Sequence, residues 1–417
     1  MSIKYQLPRG TKDFLDQEAF LLACFENKAR ELFRLYGYKE ARLPVIENIG
    51  VFNKGLGQKT DIVERQIFKI EGKDNLCLRP ESTAQIVRAY IQHNLYEHKL
   101  CKYFYIGPMF RGERPQKGRL RQFHHIGAEA IGIKSAALDA EVIKLARRLL
   151  IYLGVKDFDL KINTLGCKQD KQKLKDILRE KLKDKYDSLC DACKKRFSAN
   201  VLRVLDCKNK KCIDIVDSLN ITDAHLCKNC RVYFKELCGY LEVMGIDYKV
   251  VPTLVRGLDY YTQTVFEFIS ESLGAQSAVG AGGRYDDLVE NLGGPARAAC
   301  GFALGAERMM LLLKKQKTPQ TGVFLAYDST AVFNRAFEVL ESLRDAGIAA
   351  DMDFSGRSLK SQLRYSQKQD AKFVVIVTEQ ELSDDSVILR NMAESEQESV
   401  KLSSLTGIIS EKTKDYL

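Results

Sequence analysis
Between Tyr105 and Gly132 the chain reads YIGPMFRGERPQKGRLRQFHHIGAEAIG, which sets Arg111, Arg114, Lys117, Arg119 and Arg121 within eleven residues between two strand-like runs. That is a strand, a basic loop and a returning strand. A guanidinium offers a planar fork of donors that engages two phosphate oxygens at once, and Phe123 supplies a ring on which a base can stack. On charge alone, a solvated basic hairpin stays open beside that reading. GAGGRYDDLV, from Gly280 to Val289, packs three glycines into four positions, which allows unusual backbone angles, a close approach to a ligand, or a plain turn. In GFALGAERMM the small residues let a strand pack closely, and Arg308 at the start of an apolar helix can meet a triphosphate or pair with a carboxylate. In RGLDYY, Arg256, Tyr260 and Tyr261 can line a site or pack a sheet.

Cysteine spacing raises a separate possibility. Cys190 and Cys193 form one CxxC, Cys227 and Cys230 another 33 residues later, with Cys207 and Cys212 between. Two CxxC pairs have the pattern of a tetrahedral zinc site, and six reduced cysteines in a helical module are the other reading; zinc is therefore an open option and no metal ligand is assigned.

These residues need elements to hold them. From Phe20 to Tyr36 apolar residues recur every three or four positions and Gly37 follows as a stop, which predicts an amphipathic helix. Beta-type runs at Lys102 to Ile106, Ala128 to Ile133, Thr264 to Ile269 and Cys300 to Leu304 predict an antiparallel sheet. A Lys-rich helical pattern holding most of the cysteines interrupts that sheet, giving an inserted module at about 167–230 within a domain spanning 1–321. A polar stretch with Pro319 precedes the tail, 322–417, in which GVFLAY, a helical run from Thr330 to Arg344, IAADM, Ser358 to Gln369 and KFVVIV alternate. Such alternation predicts a small α/β domain with a mainly parallel sheet.

With 417 residues and 45% hydrophobic content the chain has ample core for two or three domains. The net charge of +10 favours attraction to polyanions without proving it. The twelve cysteines, with no secretory stretch at MSIKYQLPRGTKDF and no run of about 18 uncharged apolar residues, read as reduced thiols in a cytoplasmic protein without a membrane segment.

FRGERP followed by GRLRQF resembles motif 2 of class II aminoacyl-tRNA synthetases in the form used by histidyl-tRNA synthetases. ARLPVIEN, from Ala41 to Asn48, resembles motif 1 with Pro44 at a dimer interface; LRPESTA, from Leu78 to Ala84, resembles the amino-acid-binding strand end. LVRGLDYYTQTVFEF and GAGGRYDDLV resemble the two histidine signatures, and GFALGAERMMLLL, ending at Leu313, resembles motif 3. The resemblance implies an α+β fold: an antiparallel sheet flanked by helices, the inserted helical module, and a C-terminal α/β anticodon-binding domain. It further implies a homodimeric histidine–tRNA ligase that uses ATP with Mg²⁺, acting on L-histidine and tRNA(His).

Carried onto this sequence, the family's roles put Glu81 and Thr83 on the α-amino group of histidine, and Glu129, Tyr261 and Tyr285 around the imidazole, with Tyr260 beside them. Arg111 and Arg256 flank the α-phosphate as the catalytic pair, Phe123 stacks on adenine, Glu113 meets the adenine amino group or a metal-bound water, and Arg119 and Arg308 meet the outer phosphates. Arg114 and Gln116 face the tRNA acceptor end, where the family reads an extra 5′ guanosine. One departure stands out: His125 occupies a position where the family commonly has glutamine, and protonation there would repel the substrate's ammonium, so activity is expected to fall more steeply below about pH 6.5 than in a His125→Gln variant. The rival reading is a non-catalytic histidyl-synthetase-like regulatory subunit of histidine biosynthesis. Such paralogues typically lose the phosphate-binding arginines and the anticodon domain; another class II synthetase would lack the two histidine signatures.

Overall fold
The computed structural model describes residues 5–57, 60, 62–72, 75–274, 277–313 and 322–413, in two compact units, Met1–Lys314 and Lys315–Leu417. In the first unit α1 (Asp16–Leu35) buries Phe25, Ala29, Leu32 and Phe33, the three- and four-residue spacing seen in the sequence, and precedes β1 (Lys39–Glu40). The ARLPVIEN stretch is not one strand: β1 stops at Glu40, and β2 (Ile46–Asn48) pairs instead with β3 (Leu76–Leu78), flanked by α2 (Ile49–Leu56) and α3 (Thr83–Gln92). Pro44, which carries no amide proton to donate to a ladder, sits in the break.

β4 (Cys101–Phe110) and β5 (Gln122–Ile131) form a long antiparallel hairpin, followed by α4 (Ala136–Tyr152) and β6 (Asp159–Thr164). The insertion then supplies α5 (Lys168–Lys183), α6 (Asp191–Ala199), α7 (Lys210–Asp217) and α8 (Lys228–Val243). The sheet resumes with β7 (Lys249–Val250), β8 (Thr262–Ile269), β9 (Ala278–Arg284) and, after α9 (Leu288–Asn291), β10 (Ala299–Gly305), which runs into α10 (Ala306–Leu312). The strand order is β1-β4-β5-β10-β9-β8-β6-β7; every pairing is antiparallel except those of the two short edge strands.

Strand alternation divides the core between the two faces of this sheet. Phe104, Ile126, Phe266, Phe268 and Phe302 pack under α1, α4, α8 and α10, with Phe33 stacked on Phe104 at 4.6 Å. Tyr105, Val265, Tyr261 and Tyr285 lie on the other face with α2, α3 and α9. A buried ion pair ties the layers: Arg284 and Asp139 are both fully enclosed, and Arg284 also donates to Asp286 at 2.9 Å. The insertion has a small core of its own, in which Leu174, Leu178 and Leu182 form one stripe of α5 against Val201, Leu202 and Val204.

The second unit contains β11 (Val323–Tyr327), α11 (Phe333–Asp345), β12 (Ala350–Met352), α12 (Leu359–Lys368), β13 (Phe373–Val377), α13 (Glu379–Ser383), β14 (Ser386–Asn391), β15 (Gln397–Lys401) and α14 (Leu402–Thr413). Its order is β12-β11-β13-β14-β15. The alternation of strand and helix is as expected, but the sheet is mixed rather than mainly parallel: β12, β11 and β13 are parallel, and β14 and β15 return antiparallel. A parallel return needs a crossover of roughly a dozen residues, and the short connections after Val377 and Asn391 permit only antiparallel neighbours. Among the described residues, no helix is long and apolar enough to cross a membrane.

Candidate active site
One cleft in the first unit, about 510 Å³, opens on the β4–β5–β10–β9–β8 face. Its walls bring together Glu81, Thr83, Arg111, Glu113, Arg119, Phe123, His125, Glu129, Arg256, Tyr260, Tyr261, Tyr285 and Arg308 from segments far apart in the chain. Arg114 and Gln116 do not line it: both are exposed, in a turn closed by reciprocal backbone hydrogen bonds between Gln116 and Arg119.

At the phenol-walled end, Glu129 projects from near the C-terminal end of β5 and is 1% exposed. Its carboxyl accepts hydrogen bonds from Thr83 at 2.7 Å, Tyr285 at 2.5 Å and Tyr105 at 3.3 Å. Burial pushes it up to about 8, against the pull of those hydroxyls. Gly301 stands directly opposite on β10, and a Cβ there would collide with a Glu129 oxygen, so only glycine leaves room for this carboxyl. The rings of Tyr260, Tyr261 and Tyr285 form a continuous aromatic wall, with centroids 4.6 Å and 5.5 Å apart. Glu81 caps α3, accepting from the amides of Thr83 at 2.6 Å and Ala84 at 2.9 Å, while burial raises its pKa. Thr83 and Glu81 are therefore already engaged with the protein, and a substrate ammonium would compete with those bonds.

The basic end is held differently. Arg111 donates to the Pro80 carbonyl at 2.9 Å and lies over the Phe123 ring at 5.2 Å. Arg256 pairs with Glu267 on β8 at 2.7 Å. Arg119 pairs with Glu113. Among the described residues Arg308 makes no carboxylate pairing; its bonds go to the carbonyls of Gly118 and Ala278, which are neutral partners. Burial lowers the pKa of both Arg111 and Arg308.

His125 corrects the expected acid sensitivity. Burial first, then the charges of Arg111, Arg79 and His124, hold its pKa well below 6.5. Its Nδ1 is buried with no hydrogen-bond partner among the described residues, and the neutral ring can offer one acceptor nitrogen to the cleft. Neighbouring His124 is anchored instead to Glu307, through its backbone amide at 2.9 Å and Nδ1 at 2.8 Å.

The zinc reading is also corrected in its pairing. The two CxxC motifs do not converge: Cys190 and Cys193 cluster with Cys207 and Cys212, whereas Cys227 and Cys230 cluster with Cys167 and Asp170. Other residues of the cleft were not foreseen. Glu267 had a signal, being the only charge in the strand TVFEFI; Tyr105 follows from alternation along β4; Arg203, Asp206 and Lys208 come from the insertion and had none.

A family model described as Histidyl-tRNA synthetase matches residues 10–309, and one described as Anticodon binding domain matches residues 319–412. The histidine–tRNA ligase of Halothermothrix orenii is 42% identical over 406 residues, covering 95% of this chain and 97% of that relative. That of Clostridioides difficile is 42% identical over 414 residues, covering 97% and 99%. The solved apo histidyl-tRNA synthetase of S. aureus superposes with a TM-score of 0.79 at 31% identity, covering 97% of this chain and 99% of that one. The chain belongs to the histidyl-tRNA synthetase family and is an ATP-dependent histidine–tRNA ligase.

Proposed function
We propose that the cleft activates L-histidine with ATP, releasing pyrophosphate, and then passes the histidyl group to the 3′ end of tRNA(His). The observation that carries this reading is the polarity of one continuous cleft: Glu81, Glu129 and the phenols of Tyr105, Tyr260, Tyr261 and Tyr285 at one end, Arg111, Arg119, Arg256 and Arg308 at the other. In the first step the substrate carboxylate is itself the nucleophile, so no acid–base dyad is required. What the protein must supply is alignment with phosphorus and charge on the phosphoryl oxygens. Arg111 and Arg256 are assigned to the α-phosphate. Arg119 and Arg308 take the outer phosphates, Phe123 stacks on adenine, and Glu113 meets the adenine amino group or a metal-bound water.

Glu129, Tyr261 and Tyr285 enclose the imidazole, with Tyr260 backing them, and Glu81, Thr83 and His125 receive the α-amino group. A non-imidazole side chain would leave these buried groups unpaired, which can cost about four to five orders of magnitude in rate. Glu267, Glu307 and Glu113 are already tied to Arg256, His124 and Arg119, so these three carboxylates each have a partner within the protein. That donor set fits a Mg²⁺ carried in on the nucleotide with most of its waters retained, screening charge on the outer phosphates.

Arg114 and Gln116, exposed on the rim, are assigned to the acceptor end of the tRNA, and the second unit to the anticodon. Pairing of two chains through the 41–48 stretch, where Ile46 is 48% exposed, and a cytoplasmic location complete the proposal. The regulatory-subunit alternative is disfavoured by Arg111, Arg119, Arg256 and Arg308 in the cleft and by the anticodon-binding match. Charging of unfractionated tRNA with labelled histidine tests the whole: label recovered on tRNA(His) alone is the expected result, and label on no tRNA, with folded protein, would refute it.

A further inference from the structure
The insertion is built on four helices, α5 to α8, and each carries a metal-type ligand in its first turn. In α5 the N-cap is Cys167 and the third helical residue is Asp170. In α6 the pair is Cys190 at the N-cap and Cys193 three residues on; in α8 it is Cys227 and Cys230. In α7 Asn209 caps the helix, Cys212 occupies the third position, and Cys207 lies just before. Folding brings these turns together in two groups of four: Cys190, Cys193, Cys207 and Cys212 in one, and Cys167, Asp170, Cys227 and Cys230 in the other, each with its ligand atoms within 4.8 Å of one another.

We propose that the insertion binds two structural zinc ions, one at the four-cysteine group and one at the Cys167, Asp170, Cys227 and Cys230 group. A tetrahedral zinc with Zn–S bonds of about 2.3 Å places its sulfurs about 3.8 Å apart. Cys190 and Cys207 stand at 3.8 Å, too far for a disulfide and at the separation that zinc requires. Backbone amides point at the sulfurs, as they do toward metal-bound thiolates: Cys190 N–H to Cys212 Sγ at 3.3 Å, Asn209 N–H to Cys207 Sγ at 3.4 Å, and Cys167 N–H to Cys230 Sγ at 3.3 Å. Four helix N-termini directed at sulfur or carboxylate favour the deprotonated ligands. Asp170 is fully buried, and its oxygens accept the backbone amides of Cys227 at 3.0 Å and Cys167 at 3.4 Å, so a cation among the three sulfurs would balance its charge.

The two sites do different things for the cleft. The group with Asp170 sits at the neck, where the chain leaves and rejoins the sheet. The next residue, Lys171, donates to the carbonyls of Asp259 at 2.7 Å and Tyr261 at 2.9 Å, and Gln263 on β8 donates to Cys230 Sγ at 3.3 Å. An ion there fixes the loop that carries Tyr260 and Tyr261. The four-cysteine group fixes the 203–208 segment, which reaches the cleft wall.

Metal analysis of the full chain, purified without chelator, is expected to find two zinc ions per chain. Cys212→Ser and Cys227→Ser should each lower the content by one ion, and Cys227→Ser should raise KM for histidine several-fold with little change in KM for ATP. Because a variant can fail to fold, the unsubstituted protein gives a second reading: a mercurial titrated onto its thiols should release both ions to a chromogenic chelator. Zinc content near zero with every thiol free, iron in place of zinc, or disulfides within either group would overturn the proposal. Zinc content undiminished by Cys212→Ser would remove the four-cysteine site, and content undiminished by Cys227→Ser would remove the neck site.

Discussion

Replacing Glu129 by glutamine keeps the shape of a buried side chain and removes its titration. In the folded protein burial pushes this carboxyl up to about 8, whereas its ordinary value is 4.5. Between those values the folded chain holds a proton that the unfolded chain has released, so the contribution to stability is complete at low pH and falls as pH rises. The slope is about 1.4 kcal/mol per pH unit, and across the interval it amounts to about 5 kcal/mol. Urea unfolding of both proteins from about pH 5 to about pH 9 gives the test. The stability of the unsubstituted protein minus that of Glu129→Gln should decline through this range and flatten above about pH 8. Parallel curves would refute the argument that burial, rather than the three hydroxyl donors, governs this group. The same variant should lose about 2- to 10-fold in kcat/KM for histidine near neutrality, the range expected for one hydrogen bond between uncharged groups.

Three further outcomes follow from the geometry. Arg256→Lys keeps the charge but not the fork that pairs with Glu267, and ATP–pyrophosphate exchange should fall about 100-fold in kcat; an effect confined to KM would mean that Arg256 serves ground-state binding. His125→Gln should leave the pH profile of exchange unchanged near and just below neutrality, because the imidazole is already uncharged there; a steeper acid fall in the unsubstituted protein would restore the sequence-based expectation. Asp139→Ala strands a fully buried Arg284 beside the sheet and should cost about 3–5 kcal/mol in urea unfolding of the first unit, where a loss under about 1 kcal/mol would show that Asp286 suffices as a partner.

The sheet was legible in the sequence because its signals are local, whereas the residues of the cleft were assigned by resemblance to a family. Strand alternation around Phe104 and Tyr105 has short-range spacing that maps directly onto a face, whereas Gly301 meets Glu129 only through the pairing of β5 with β10. What was not legible depends on convergence. The CxxC pairs of Cys190 and Cys227 resemble two halves of one site, yet each belongs with ligands that have different spacing, because helix packing decides which N-termini meet. Asp170 lies in a Lys-rich helical stretch where its spacing gives no sign of a ligand. The direction of β14 likewise depends on the length of the connection before it, and the pKa of His125 on burial and on charges brought in by folding. Resemblance to a family assigned roles to Glu81 and Thr83, while the geometry adds that both are already bonded within the protein.

ATP–pyrophosphate exchange with each of the twenty amino acids tests the central claim most directly. The polar, phenol-walled end of the cleft predicts exchange with histidine alone. Exchange with none, from a protein shown to be folded, would contradict the account and point to a chain that binds histidine without activating it.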